Sequence, residues 1–134
     1  MIMERIPSLV VGVFCTDSMR RVCLVQTAKV PLALTIPGGH VRYGETIVAC
    51  AVREMREESG TALQNPAVRS WGEIILPGRH EVYFNLLGTT ESPSILPEDS
   101  LEILAVYWIP VCDAVSDVRI PPRIRDEIIT LLSS

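Results

Sequence analysis

The chain has 134 residues, of which 48% are hydrophobic and 21% charged, with a formal net charge of −4. That length suits one domain over residues 1–134, and the mixture of apolar and charged residues excludes a disordered chain. The acidic balance gives no basic face for nucleic acid, and no run reaches the roughly 18 apolar residues that a membrane span requires.

Residues 1–15 hold an apolar run, but Glu4 and Pro7 interrupt its approach and no small-residue cleavage site follows. It reads as a strand rather than a signal peptide. Ser8 to Cys15 is β-branched and apolar throughout, which predicts a strand buried on both faces. Thr16 to Arg20 supplies turn residues, and Val22 to Gln26 completes a hairpin. Lys29 to Ile36 contains Pro31 and is expected to cross the surface before a short strand at Leu34–Ile36. Pro37-Gly38-Gly39 then breaks regular structure, and glycines there let backbone approach a ligand closely.

Thr46 to Ser59 reads as a helix closed by Gly60. Its apolar residues Ile47, Val48, Ala51, Val52 and Met55 span an arc of about 140° at 100° per residue. Glu54, Glu57 and Glu58 stand at i, i+3 and i+4 along one edge of that arc, with Glu58 nearest the apolar side. Like charges at that spacing repel by up to about 0.5 kcal/mol per pair. A hard divalent cation would convert the repulsion into coordination. Arg53 amid these acids would orient them and lower their pKa values.

Val68–Leu76 and His80–Leu87 alternate as two strands joined at Pro77-Gly78. Thr89 to Ser100 is a Pro-, Ser- and acid-rich loop, and Glu91, Glu98 and Asp99 are placed to overhang a site. Glu102 to Ile109 is a further strand, with Trp108 in the core. Arg123 to Leu132 is a final helix with Pro122 in its first turn and Ile124, Ile128, Ile129 and Leu132 on its buried side. No repeat or linker interrupts the series. Cys15, Cys23, Cys50 and Cys112 lack zinc-site spacing. A Cys15–Cys23 disulfide between neighbouring strands stays open, and four reduced thiols in a cytoplasmic protein are the favoured reading.

The stretch from Gly39 through Glu45 to Arg53-Glu54-Met55-Arg56-Glu57-Glu58-Ser59-Gly60 resembles the Nudix box of the Nudix hydrolase family. Only the last position departs, with Thr61 where the family usually has an aliphatic residue. The resemblance implies an α/β fold, a Nudix-like α/β/α sandwich with a mixed sheet between the Nudix helix and the C-terminal helix. It implies a pyrophosphohydrolase that cleaves the diphosphate of a nucleoside diphosphate derivative with Mg²⁺, or alternatively Mn²⁺. The Gly38 carbonyl, Glu54, Glu57 and Glu58 would hold metal, with Glu54 or Glu57 as general base and Glu98 as a reserve candidate. Arg53 would hold a carboxylate in place, Glu45 would fix the loop, and Gly38 and Gly39 would lie against substrate. Pro77-Gly78-Arg79-His80 resembles a run in the 8-oxo-dGTP diphosphatase branch, which makes Arg79 a nucleotide contact. A nucleoside triphosphate or damaged nucleotide is the leading substrate class, and ADP-ribose or a nucleotide sugar the second. A non-catalytic nucleotide sensor is a remote third, since no box glutamate is missing. The expected partner is a small nucleotide, without nucleic acid or membrane, and a homodimer is compatible with so short a chain.

Overall fold

The computed structural model describes residues 5–132. Residues 1–4 of the 1–15 run, and the last two of the 1–134 domain, lie outside them. The elements are β1 (Ser8–Thr16), β2 (Arg21–Thr27), β3 (Gly38–His40), α1 (Ile47–Ser59), β4 (Gln64–Leu76), β5 (Arg79–Thr89), β6 (Ile103–Pro110), α2 (Val111–Ala114) and α3 (Pro122–Leu132).

One six-stranded mixed sheet carries them in the order β4-β5-β1-β2-β6, with β3 also paired to β1. β1 lies at its centre, parallel to β5 from Ser8↔Glu81 to Thr16↔Thr89 and antiparallel to β3. Its β-branched sequence suits this position, because a central strand is covered on both faces. Val11, Val13 and Cys15 point into a core shared with Cys50, Ala51 and Met55 of α1. Phe14 points the other way, into a core with Ile124 and Ile128 of α3. Helix, sheet and helix thus form three layers, as the sequence implied.

β1 and β2 pair at Thr16↔Val22 and then part. The chain from Thr35 to His40 enters the gap: Thr35 and Val25 exchange backbone hydrogen bonds, Val13 N–H donates to the Pro37 carbonyl, and β3 pairs along Val10 to Gly12. The expected strand at Leu34–Ile36 is therefore a single bridge, and the expected break at Gly38-Gly39 is itself a strand. The reason is steric. A Cβ on Gly38 would run into the carbonyl oxygen of Val11, so only glycine lets this strand approach β1.

The turn from β1 to β2 is held by Asp17. Its carboxylate accepts from Met19 N–H at 3.0 Å, Arg21 N–H at 2.9 Å and Arg21 Nε at 2.7 Å. Burial pushes the Asp17 carboxyl up, but hydrogen bonds from the Arg21 backbone and side chain and from Met19 more than reverse this, leaving it below its ordinary value. A depressed folded pKa stabilises the protein above the unfolded pKa and ceases to do so as pH falls through the folded one. Asp17→Ala is expected to lower stability at pH 7 by about 1–3 kcal/mol. Melts of both proteins should converge as pH falls below about 4.

Two sequence expectations about helix faces need correction. Val48 is 40% exposed, and the buried face of α1 runs instead through Cys50, Ala51, Glu54, Met55, Glu58 and Ser59. The helix is rotated so that two of its acids lie against β3. In α3, Ile124 and Ile128 are buried while Ile129 is 45% exposed, because Leu131 and Leu132 complete the stripe. All four cysteines are free thiols, so no disulfide joins Cys15 to Cys23. Burial pushes the Cys15 thiol up to about 12, which makes it inert at neutral pH. No helix among the described residues is long and apolar enough to cross a membrane.

Candidate active site

The site grows from the start and end of α1. Thr46 caps the helix by accepting from Ala49 N–H at 3.0 Å, and Gly60 ends it at φ 74°, donating to the Arg56 carbonyl. Between these stops Arg53 gathers the acids. Its Nε and Nη2 donate to both oxygens of Glu45 at 2.7 and 3.0 Å. Its Nη1 donates to Glu54 at 2.7 Å and Glu57 at 3.2 Å, and Nη2 also reaches the His40 carbonyl at 3.1 Å. A planar guanidinium can serve so many acceptors in one plane, which an ammonium could not. Glu45 is closed off further by the Arg42 N–H at 3.1 Å. Chiefly through its hydrogen bonds from Arg53, its carboxyl is held down at about 2.

Glu54, within this network, and Glu58, one turn further along α1, are both buried. Gly39 passes directly over Glu54, and a Cβ there would stand 2.6 Å from its Oε1. Gly38 N–H points at Glu58 Oε1 from 3.4 Å. Burial pushes the Glu58 carboxyl well above the usual carboxylate range, and the adjacent Glu54 raises it further. The Arg53 guanidinium, 2.7 Å away, answers Glu54, whereas among the described residues no Lys, Arg or His lies within 4.0 Å of the Glu58 carboxylate.

A cleft of about 340 Å³ opens here, lined by Gly38, Gly39, Arg53, Glu54, Glu57 and Glu58. His40, Arg42, Asp99 and Glu102 line it as well. The donors are carboxylate and backbone oxygens, the set that Mg²⁺ prefers. The glycine cradle over Glu54 and the crowding of Glu58 fit a hard divalent cation. Among the described residues, no three acids already converge as a metal-holding group, since Arg53 draws Glu54 and Glu57 to itself.

Glu98 does not line the acidic cleft but an adjoining cavity, which it shares with Arg42, Glu57 and Asp99. Its carboxylate pairs with Arg56 Nε at 3.2 Å, on the outer side of α1. The same loop carries Asp99 and Glu102 into the cleft, because Asp99 N–H donates to the Glu57 carbonyl at 3.0 Å. Burial, with Asp99 beside it, raises the Glu102 pKa. The departure at Thr61 explains how this loop is anchored. Thr61 is buried, its hydroxyl accepts from Ser94 N–H at 3.0 Å, and Trp108 Nε1 donates to the Ser94 carbonyl at 2.9 Å. An aliphatic residue would leave that N–H without its partner.

Arg79 lies outside the acidic cleft. It lines a neighbouring cavity and bonds to Glu81 at 2.8 Å. Asp99, expected from the sequence to overhang a site, does line the cleft, whereas Arg42 and Glu102 carried no such expectation. Arg42 sits inside the motif and Glu102 directly precedes β6, so neither carries an obvious spacing signal.

The NUDIX domain model matches residues 7–130. The chain belongs to the NUDIX domain family. It is 29% identical over 118 residues to the MutT4 protein of Mycobacterium tuberculosis, covering 77% of this chain and 45% of that one. It is also 29% identical over 121 residues to the m7GpppN-mRNA hydrolase NUDT17 of Xenopus laevis, covering 74% and 40%. The chain thus spans less than half the length of these relatives. Among solved structures, a MutT NUDIX hydrolase from Burkholderia pseudomallei superposes with a TM-score of 0.79 at 20% identity, over 95% of this chain and 99% of that one. This likeness shows that the NUDIX fold is shared over nearly the whole of both chains.

Proposed function

We propose that this NUDIX domain is a metal-dependent pyrophosphohydrolase acting on a nucleoside diphosphate derivative, with a nucleoside triphosphate or damaged nucleotide as its leading substrate class. The observation that carries the reading is the acidic cleft itself, where Glu54 and Glu58 lie buried against Gly39 and Gly38 and Glu57 lines the same opening. Glu54, Glu57, Glu58 and the Gly38 carbonyl would hold Mg²⁺, with Mn²⁺ as a substitute. When bound, the ion would screen the diphosphate's charge and lower the pKa of an attacking water.

The chain's own groups do the rest. Glu57 is the more exposed of the two base candidates, with Glu54 the alternative, and it accepts the water's proton. Arg53 fixes both by hydrogen bonds and touches no substrate itself. Arg42, whose Nη2 lies 3.9 Å from Glu57, is free to turn toward a phosphate oxygen. Glu98 would have to leave Arg56 before it could act, so Glu102 is the better reserve. Four free thiols suit a reducing, cytoplasmic setting.

Hydrolysis of ADP-ribose or a nucleotide sugar is the second reading, since Arg79 and Pro77 are compatible with either. Identity does not choose between relatives, as MutT4 and NUDT17 match equally at 29%. Incubation with Mg²⁺ or Mn²⁺ and a nucleotide panel, with and without inorganic pyrophosphatase, separates the readings. A triphosphate substrate should release phosphate only when pyrophosphatase is present. No turnover of any nucleotide with either metal would refute the proposal.

A further inference from the structure

Beside Gly38, Glu58 and Glu102 the acidic cleft meets a second cavity of about 360 Å³, on the α3 side of the sheet. That volume lies in the range of small-ligand pockets. Its chemistry is the reverse of the cleft's. Lys29, Arg79 and Arg123 line it, while its two cleft-side acids, Glu58 and Glu102, stand where the cavities meet. Arg79 is answered by Glu81 at 2.8 Å. Among the described residues, no carboxylate lies within 4.0 Å of the Lys29 ammonium or the Arg123 guanidinium.

Arg123 is also held in place. Its guanidinium carbon sits 4.9 Å from the centre of the Tyr83 ring. Tyr83 is in turn seated over Gly72 of β4, where any side chain would overlap its hydroxyl. Lys29 and Arg123 are both exposed to solvent at this cavity, and Lys29 acts on Glu102 only at longer range, so both remain available to an entering group. An anion answers both.

We propose that this cavity holds a phosphate that the substrate carries outside the anhydride being hydrolysed, with Arg123 and Lys29 as its partners and Tyr83 positioning Arg123. The assignment rests on the hydrolase reading above and narrows it. Such a phosphate has two sources, the terminal phosphate of a triphosphate or a phosphate on a ribose. A substrate with neither, such as ADP-ribose, should be the poorer one.

The test compares ATP, ADP-ribose and 2′-phospho-ADP-ribose by kcat/KM with Mg²⁺, and by calorimetric binding in EDTA. At least one phosphate-bearing compound should exceed ADP-ribose by about 10- to 100-fold, the worth of a charge-assisted hydrogen bond. Which of the two is preferred identifies the source. Arg123→Gln and Lys29→Gln should each shrink that ratio, whereas Arg69→Gln, the same charge change on the exposed part of β4, should not. Equal treatment of all three compounds, or equal loss in Arg69→Gln, would overturn the proposal. Turnover without preference rejects this assignment alone. Preferential binding without any turnover rejects the hydrolase reading alone.

Discussion

Glu57→Gln should reduce hydrolysis by about 10²- to 10⁴-fold while leaving the melting temperature close to that of the parent. The amide retains an oxygen to accept from Arg53 Nη1, now 3.2 Å from the carboxylate, and Glu57 is only partly buried, so little packing is lost. What disappears is the negative charge, and with it both a metal ligand and a proton acceptor. A merely structural acid at this position would give the opposite pattern, with stability falling and the rate per folded molecule unchanged. Steady-state rates measured beside thermal melts of the same preparations decide between them.

Gly38→Ala and Gly39→Ala should fail in different ways although the residues are neighbours. At Gly38 the new methyl meets the Val11 carbonyl in the adjacent strand, and backbone cannot step aside. Overpacking of that kind costs about 1–3 kcal/mol, so the melting temperature should fall clearly. At Gly39 the atoms nearest the methyl are those of the Glu54 carboxylate, whose oxygens stand 2.6 and 2.9 Å away. That side chain can rotate, so the fold should survive with a smaller change in stability, while activity falls because Glu54 is displaced. Melting temperature and kcat together distinguish the pair. A Gly38→Ala protein as stable as the parent would mean that β3 does not approach β1 as described.

Much of this arrangement was legible in the residues. The β-branched run at Ser8–Cys15 announced a strand covered on both faces, and β1 has a core on each side. The ends of α1 were written in Thr46 and Gly60, whose capping chemistry is local. What escaped the sequence depended on partners distant in the chain. Gly38-Gly39 carry every sign of a turn, yet the gap between β1 and β2 recruits them as a strand. Val48 fits an apolar arc, but the acids of α1 are drawn under β3, and that rotation turns Val48 outward. Glu98 and Glu102 are equally acidic in sequence, and the tertiary anchors of their loop, among them the hydrogen bond from Asp99 to α1, set which of them lines the cleft. Thr61 breaks the family pattern, and its reason lies more than thirty positions away at Ser94.

The most direct measurement is a Mg²⁺ titration of the free protein, followed by calorimetry and by thermal melting. Saturable binding should appear, with stabilisation of roughly 1.4 kcal/mol at ten times Kd, and Glu57→Gln should weaken both. If millimolar Mg²⁺ and Mn²⁺ yield neither heat nor any rise in melting temperature, the buried acids of α1 do not form a metal site and the proposed chemistry falls with them.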